Sequence, residues 1–351
     1  MALTEGPSRL ADLAPPAAGR RALLLPLLGV ATLLLLIRWG GAEEARALLE
    51  RARGELVVGA LAAESVRYIG TGLLMRQVLG FVGHRIALWP TVAVILAGAA
   101  LNRLIVAGGA GGLYLRYRYL DLRKVPLGAI SSMLLIQTLV TAVILLLTFL
   151  LGLLALAALR GLTGEEIAVS GAVALGVIAV FAVTARLYPR PRRVQALLLT
   201  VAGTVAGWVG RLTRIDLYDE EGLKNALRRL YRSVSVARHN RRALLLAFGF
   251  AASALLADIL ALYLVFRALG TAIHPGILTV GYAISNYLSN LAFLPDGLVV
   301  TEASLAGAYA SLAVAPAAAA TAVLVFRLIS FWLPIPIGAV AFWMLRRRAH
   351  L

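Results

Sequence analysis

The stretch LAFLPDGLVVTEASLAGAY, residues 291–309, lies inside a long apolar run from Ile277 to Leu345. It interrupts that run with Pro295-Asp296-Gly297 and then sets a carboxylate, Glu302, among apolar neighbours. A straight lipid-facing helix has no use for either. Backbone that leaves the helix at membrane depth must be buried in protein or line a polar cavity, because hydrocarbon satisfies no N–H or C=O group. The break therefore reads as a re-entrant turn, with Glu302 in the polar wall behind it.

Composition supports that setting. Of the 351 residues, 61% are hydrophobic, and the mean hydropathy is +0.87; a soluble domain is about 45–50% apolar. Several windows exceed the roughly 18 apolar residues that mark a membrane helix. The fold class expected is an all-α polytopic membrane protein. The formal charge of +17 is almost entirely arginine, Lys124 and Lys224 being the two lysines. Such charge collects in cytoplasmic loops and faces anionic headgroups. No basic-plus-aromatic motif of a nucleic-acid reader is present, so no nucleic-acid partner is expected. Without cysteine, thiolate sites are excluded. His84, His239, His274 and His350 lack the spacing of metal ligands. No phosphate-binding loop ending in Gly-Lys-Ser/Thr and no catalytic constellation is seen. No cofactor and no enzyme activity are expected, and transport would be facilitated or ion-coupled.

The apolar windows fall at roughly 21–38, 56–80, 87–107, 126–158, 166–188, 243–267, 276–294, 301–314 and 316–345. An arginine-rich segment, 189–242, separates two groups of them and reads as cytoplasmic and amphipathic. If 87–107 crossed fully, Arg116, Arg118, Arg123 and Lys124 would lie outside, against the positive-inside rule. A re-entrant hairpin over 87–121, turning at Gly108-Gly109-Ala110-Gly111-Gly112, removes the conflict. The same treatment suits 276–314, turning at Pro295-Asp296-Gly297. Six crossings then leave both termini, including the tail 1–20, in the cytoplasm, with one transmembrane domain over 21–345.

The two hairpins lay over one another. Asn102 precedes Gly108-Gly109 by six and seven positions, and Asn290 precedes Asp296-Gly297 by the same interval. Pro126 and Pro316 each start the next crossing, and eleven residues further on stand Gln137 and Arg327. Two inverted repeats are expected, about 56–158 and 243–345, each with a re-entrant helical hairpin between transmembrane helices. Secondary transporters use this plan, with broken helices meeting near the midplane.

PDGLVVTEASL followed by AVLVFRLISFWLPIPIGA resembles the C-terminal signature of the flippase-like transmembrane domain of lysylphosphatidylglycerol synthases and their stand-alone relatives. That family reads Pro-x-Gly-x-Gly-x-x-Glu, then a helix with Arg, then an aromatic-Pro-Gly ending. Pro295, Gly297, Glu302, Arg327, Trp332, Pro334 and Gly338 fit. Val299 stands where the second glycine is usual, and Gln137 where many relatives carry arginine. NRLIVAGGAGGLYLRYRYLDLRKVPLGAISS resembles the family's Gly-rich segment after an asparagine. The resemblance covers about residues 20–345 and leaves no room for the aminoacyl-transferase domain. It implies lipid translocation or handling in a bacterial inner (plasma) membrane, without lysyl transfer.

An ionisable group inside a membrane helix costs about 2.5–3.5 kcal/mol on insertion scales, so it usually has a partner and a role. Glu302 and Arg327 are the leading pair, either fixing helix packing or meeting a headgroup. Arginine suits phosphate because its planar fork donates two parallel hydrogen bonds. Arg103 and Arg116 flank the glycine tip and fit either a phosphate site or inner-leaflet snorkelling. Gly108 and Gly109 offer N–H groups to an anion, and Gly297 lets a headgroup approach closely. Substrate-binding candidates are thus Arg327, Glu302, Gly297, Pro295, Asp296, Asn290, Asn102, Arg103, Gly108, Gly109 and Arg116. Glu64 and Arg67 read as a local i,i+3 pair, and Asp258 as a proton-coupling carboxylate. The expected function is flippase-like translocation of a charged or isoprenoid-type lipid. Partners would be an anionic or aminoacylated phospholipid or a polyprenyl lipid, and a homodimer is compatible with the sequence. The rivals are a membrane-embedded lipid-modifying transferase or its partner subunit, and a small-solute transporter.

Overall fold

The computed structural model describes residues 41–81, 83–104, 110–160, 241–291 and 297–348, with isolated helical positions at 31, 35, 38, 164, 171 and 175. In chain order its helices are α1 (Ala42–Glu50), α2 (Gly54–Phe81), α3 (Leu88–Leu104), α4 (Ala110–Asp121) and α5 (Leu127–Arg160). After them come α6 (Arg241–Ala268), α7 (Pro275–Leu291), α8 (Val300–Ser311), α9 (Pro316–Arg327), a π-helical turn (Leu328–Trp332) and α10 (Pro334–Arg348).

Among the described residues, four segments are long and apolar enough to cross a membrane: Gly54–Phe81, Leu127–Leu159, Arg241–Ala268 and Pro316–Arg347. They coincide with four of the six expected crossings. The other two, 21–38 and 166–188, and the segment 189–242 fall outside the described residues, isolated positions aside. Between the crossings lie pairs of shorter helices, 17 then 12 residues in α3–α4 and again 17 then 12 in α7–α8. At about 1.5 Å per residue, a 17-residue helix falls short of a hydrocarbon core of about 30 Å. The helices that precede the two pairs, α2 and α6, have 28 residues each.

The central contact is between α2 and α6, and small residues explain it. Ala247, Ala251, Ala254, Ala257 and Ala261 recur every three or four positions along α6, all buried. Lipid gives apolar helices no hydrophobic drive to associate, so close approach through small side chains supplies the packing. The register is antiparallel. Arg53 N–H donates to the Ala268 carbonyl at 2.9 Å, Gly70 lies against Ser253 and Ala254, and Gln77 donates to the Ala243 carbonyl at 3.0 Å. Apolar cores gather toward the two ends of this pair, one around Phe149, Phe266 and Tyr309 and one around Met75, Leu120 and Met133.

The short helices dock crosswise. α7 packs on α5 and α3 packs on α10, so each pair leans on a crossing from the other half of the chain. Both seams are made by glycine. A Cβ on Gly152 of α5 would stand 2.9 Å from Thr279, and one on Gly338 of α10 would stand 2.3 Å from the Leu96 carbonyl oxygen. α1 was not expected. Four of its nine residues are charged, but Glu43 and Glu44 occupy the first turn, where the helix dipole favours them. It rests on α9, and its Ala45 is buried.

Gly338→Ala is expected to lose about 1–3 kcal/mol, since the methyl meets a backbone oxygen rather than a yielding side chain. Gly249→Ala, with nothing within 4 Å of the new methyl, is expected to gain about 0.5–1 kcal/mol of helix stability. Thermal unfolding of the two variants in detergent checks the contrast.

Candidate functional site

The site grows from the α7–α8 pair. Ser285 and Ser289 stand one turn apart on α7, and Thr301 and Ser304 stand three apart on α8, so each pair shares a face. They zip the helices together. Ser285 Oγ and Ser304 Oγ lie 2.7 Å apart, as do Ser289 Oγ and Thr301 Oγ1. Further along, Tyr309 lies over Gly281, where a Cβ would come within 2.4 Å of the ring, and donates to the Leu278 carbonyl at 2.9 Å.

The turn into α8 has two left-handed residues. Gly297 has φ +67° and Val299 has φ +73°. A side chain on Gly297 would meet Thr301 Oγ1 at 2.5 Å and Ser289 Cβ at 2.7 Å. The glycine therefore admits the serine–threonine zipper. The sequence had assigned that space to a lipid headgroup, and in the structure protein fills it. Val299 is the N-cap, with ψ −50° and no side-chain cap, close to the rare γ-turn conformation. A β-branched residue is strained there, which gives a physical reason for the glycine usual at this position.

The turn puts Glu302 in the first turn of α8, where the helix dipole favours a carboxylate. Its side chain points at α9. Arg327 Nε donates to Glu302 Oε1 at 2.6 Å, and the two residues are only 6% and 1% exposed. Glu302 Oε2 and Arg327 Nη2 have no hydrogen-bond partner. The pair is closed off, with one acceptor and one donor in reserve.

A π-turn follows Arg327 directly, closed by the Leu333 N–H donating to the Leu328 carbonyl at 2.9 Å. An α-helix would satisfy the Ser330 carbonyl from position 334, but Pro334 has no N–H. Arg103 supplies the donor from α3, with Nη2 2.9 Å from the Ser330 oxygen. Its guanidinium carbon lies 5.0 Å from the centre of the Phe331 ring, and that of Arg327 lies 4.4 Å from the same centre. Two guanidiniums, one from each half of the chain, thus converge on a single aromatic ring. Neither the π-turn nor this convergence was legible beforehand; the clue in the sequence is a proline four residues after a serine in an apolar helix.

Arg103 leads to a second charged group. Its Nη2 lies 3.4 Å from the Tyr68 hydroxyl, and Arg67 stacks on the Tyr68 ring at 4.3 Å. Arg67 donates to Glu64 through Nε at 2.8 Å and also through Nη2. The local pair read from the sequence is therefore present, but it is not alone. Arg67 Nε also lies 3.8 Å from Asp258 Oδ1 of α6, and Asp258 Oδ2 accepts the Tyr282 hydroxyl at 2.5 Å.

The other candidates fall into three groups. Asn102 Oδ1 accepts the Gly112 N–H at 2.5 Å, so its carboxamide ties α3 to the first turn of α4. Arg116 sits half-buried on α4, and its Nε lacks a hydrogen-bond partner. Gly108, Gly109, Pro295, Asp296 and the side chain of Asn290 lie outside the described residues.

Four membrane-length segments among the described residues and an enclosed set of arginines and carboxylates define a multi-pass integral membrane protein with an internal polar site. The chain belongs to the lysylphosphatidylglycerol synthase transmembrane-region family, whose model matches residues 26–338. Membership fits a lipid-related role in the membrane. No curated protein matches the chain.

Val299→Gly is expected to raise stability by about 1 kcal/mol. It relieves strain of about 1–3 kcal/mol and gives back about 0.5–1 kcal/mol in chain entropy. The measurement is the unfolding midpoint in detergent, which should rise.

Proposed function

We propose that the protein moves a charged or isoprenoid-type lipid between leaflets, with Arg327 receiving the headgroup phosphate. One observation carries this reading. Arg327 keeps an unpartnered buried Nη2 while sharing the Phe331 ring with Arg103. A phosphate takes two parallel hydrogen bonds from an arginine fork. Glu302 holds Arg327 in place until the phosphate arrives, and then faces any cationic part of the headgroup, as an aminoacylated lipid carries. Because the pair is sealed in this structure, binding requires the helices around it to open. Membership of a lipid-related family supports the substrate class.

The architecture proposed with it is a pair of inverted repeats. The matching lengths of α2–α3–α4 and α6–α7–α8 and the crosswise docking favour it. In that arrangement α3–α4 enters from the cytoplasm and α7–α8 from the opposite side. A cysteine at position 111 should react with an impermeant reagent from the cytoplasmic side alone, and one at position 271 from the other side alone. Labelling of both from one side would rule out the inversion.

The charge pair tests the function itself. Arg327→Gln or Glu302→Gln alone leaves a buried charge unpaired and is expected to cost about 3–5 kcal/mol, most of it recovered in the double variant. The double variant should then be folded yet unable to move labelled lipid across proteoliposomes that the wild type equilibrates. Wild-type rates in a folded double variant would reduce the pair to a packing device. Anionic, aminoacylated and polyprenyl lipids assayed in parallel identify the substrate; headgroup turnover by the purified protein would favour a transferase instead.

A further inference from the structure

We propose that Glu64 and Asp258 together form a binding site for one exchangeable proton, deep in the membrane and distinct from the Arg327–Glu302 pair. The argument starts from register. The start of α2 lies against the end of α6, where Arg53 meets Ala268. Glu64 is the eleventh residue of α2, and Asp258 stands ten residues before the end of α6. At about 1.5 Å per residue, both lie about 15 Å from that shared end, near the middle of a core of about 30 Å. Two carboxylates on different helices thus occupy one depth.

Between them stands one guanidinium. Arg67 binds Glu64 Oε1 and lies 3.8 Å from Asp258 Oδ1. Tyr282 donates to the other oxygen of Asp258 and adds no positive charge. With both acids ionised the group carries a net charge of −1, in a place where an uncompensated charge is costly enough that a side chain neutralises instead. Glu64 is 4% exposed, and its Oε2 is buried without a hydrogen-bond partner, as is Asp258 Oδ1. Those two atoms are where a proton can sit. A proton delivered from water converts one carboxylate to the acid and brings the group from −1 to neutral; its return to water on the other side restores the starting charge.

Among the described residues, the elements packed against α2 and α6 bring few other ionisable groups. α3 contributes Arg103, next to the Tyr68 hydroxyl. α5 contributes none between Leu127 and Leu159. α7 contributes Tyr282 and Tyr287, and the π-turn none. α9 contributes Arg327, already engaged by Glu302. Among the described residues, Arg67 is therefore the cation in contact with both acids.

The proton site stands on this geometry; its use in driving transport rests on the translocation reading above. The experiment has two arms, both on the full-length protein in lipid. In the first, infrared spectra are compared between acidic and alkaline buffer. A carboxyl C=O band should appear on acidification and be lost in Glu64→Gln or Asp258→Asn, while the double variant Glu302→Gln with Arg327→Gln keeps it. Both variants should fold, because each leaves Arg67 with one carboxylate. A band that survives in both, or no such band in the wild type, overturns the proposal. The second arm imposes a pH gradient on proteoliposomes. Lipid transfer by the wild type should change several-fold with the gradient, and transfer by Asp258→Asn should not respond. Transfer by the wild type that ignores the gradient overturns the coupling. A titrating band in a protein that moves no lipid supports the proton site and defeats the translocation reading alone.

Discussion

Hydrocarbon offers no partner to a charge or to a peptide group, and the interior of this protein is arranged around that constraint. Pro334 leaves the Ser330 carbonyl without its helical donor, and Arg103 reaches across from another helix to supply one. The same contact brings the Arg103 guanidinium onto the ring that Arg327 occupies. Removing the proline would remove the need for the arginine, and with it one polar link among the contacts that join the two halves. A backbone defect in one helix thus fixes the position of a cation on another.

The charges that result are not an efficient source of stability. Apolar residues of equal volume do as well or better than a buried ion pair. What the charges provide is placement. Glu302 holds Arg327 at a defined point between α8 and α9, and Arg67 holds two carboxylates from α2 and α6 within reach of each other. Tyr68 and Arg103 join these groups into one polar string through an otherwise apolar bundle. An arrangement of this kind lets a change at one group be felt at the other.

Much of the fold was legible because membrane helices announce themselves by length. α2, α5, α6 and the α9–α10 segment all follow apolar windows, and the turn at Gly297 follows its proline and glycine. The Glu302–Arg327 pair was legible for a related reason: each is a lone charge on an apolar helix and must find an opposite one. The rest depended on distance in sequence. Asp258 joins Glu64 only through the register of α2 against α6, which no local pattern encodes. Arg103 was grouped with Arg116 around the glycine tip, whereas its donor points to the Ser330 carbonyl. Asn102 was read as a ligand group, and its carboxamide instead holds the hairpin to which it belongs. Gly297 was read as room for a headgroup because the neighbours that fill the space, Ser289 and Thr301, become neighbours only after the hairpin closes. The crossing windows 21–38 and 166–188 lie outside the described residues.

The crosswise docking bears on how the protein is made. α3 rests on α10, the last of the described helices, through a seam where a methyl on Gly338 would meet the Leu96 backbone. During synthesis the α3–α4 pair enters the bilayer long before that surface exists, with the face at Leu96 and Ala100 that will meet Gly338 turned toward lipid or toward an insertion chaperone. That seam closes only when α10 has left the ribosome. Sealing of the first half therefore waits until α10 has been made, and a chain truncated before α10 is left with an unsealed first half for membrane quality control to recognise.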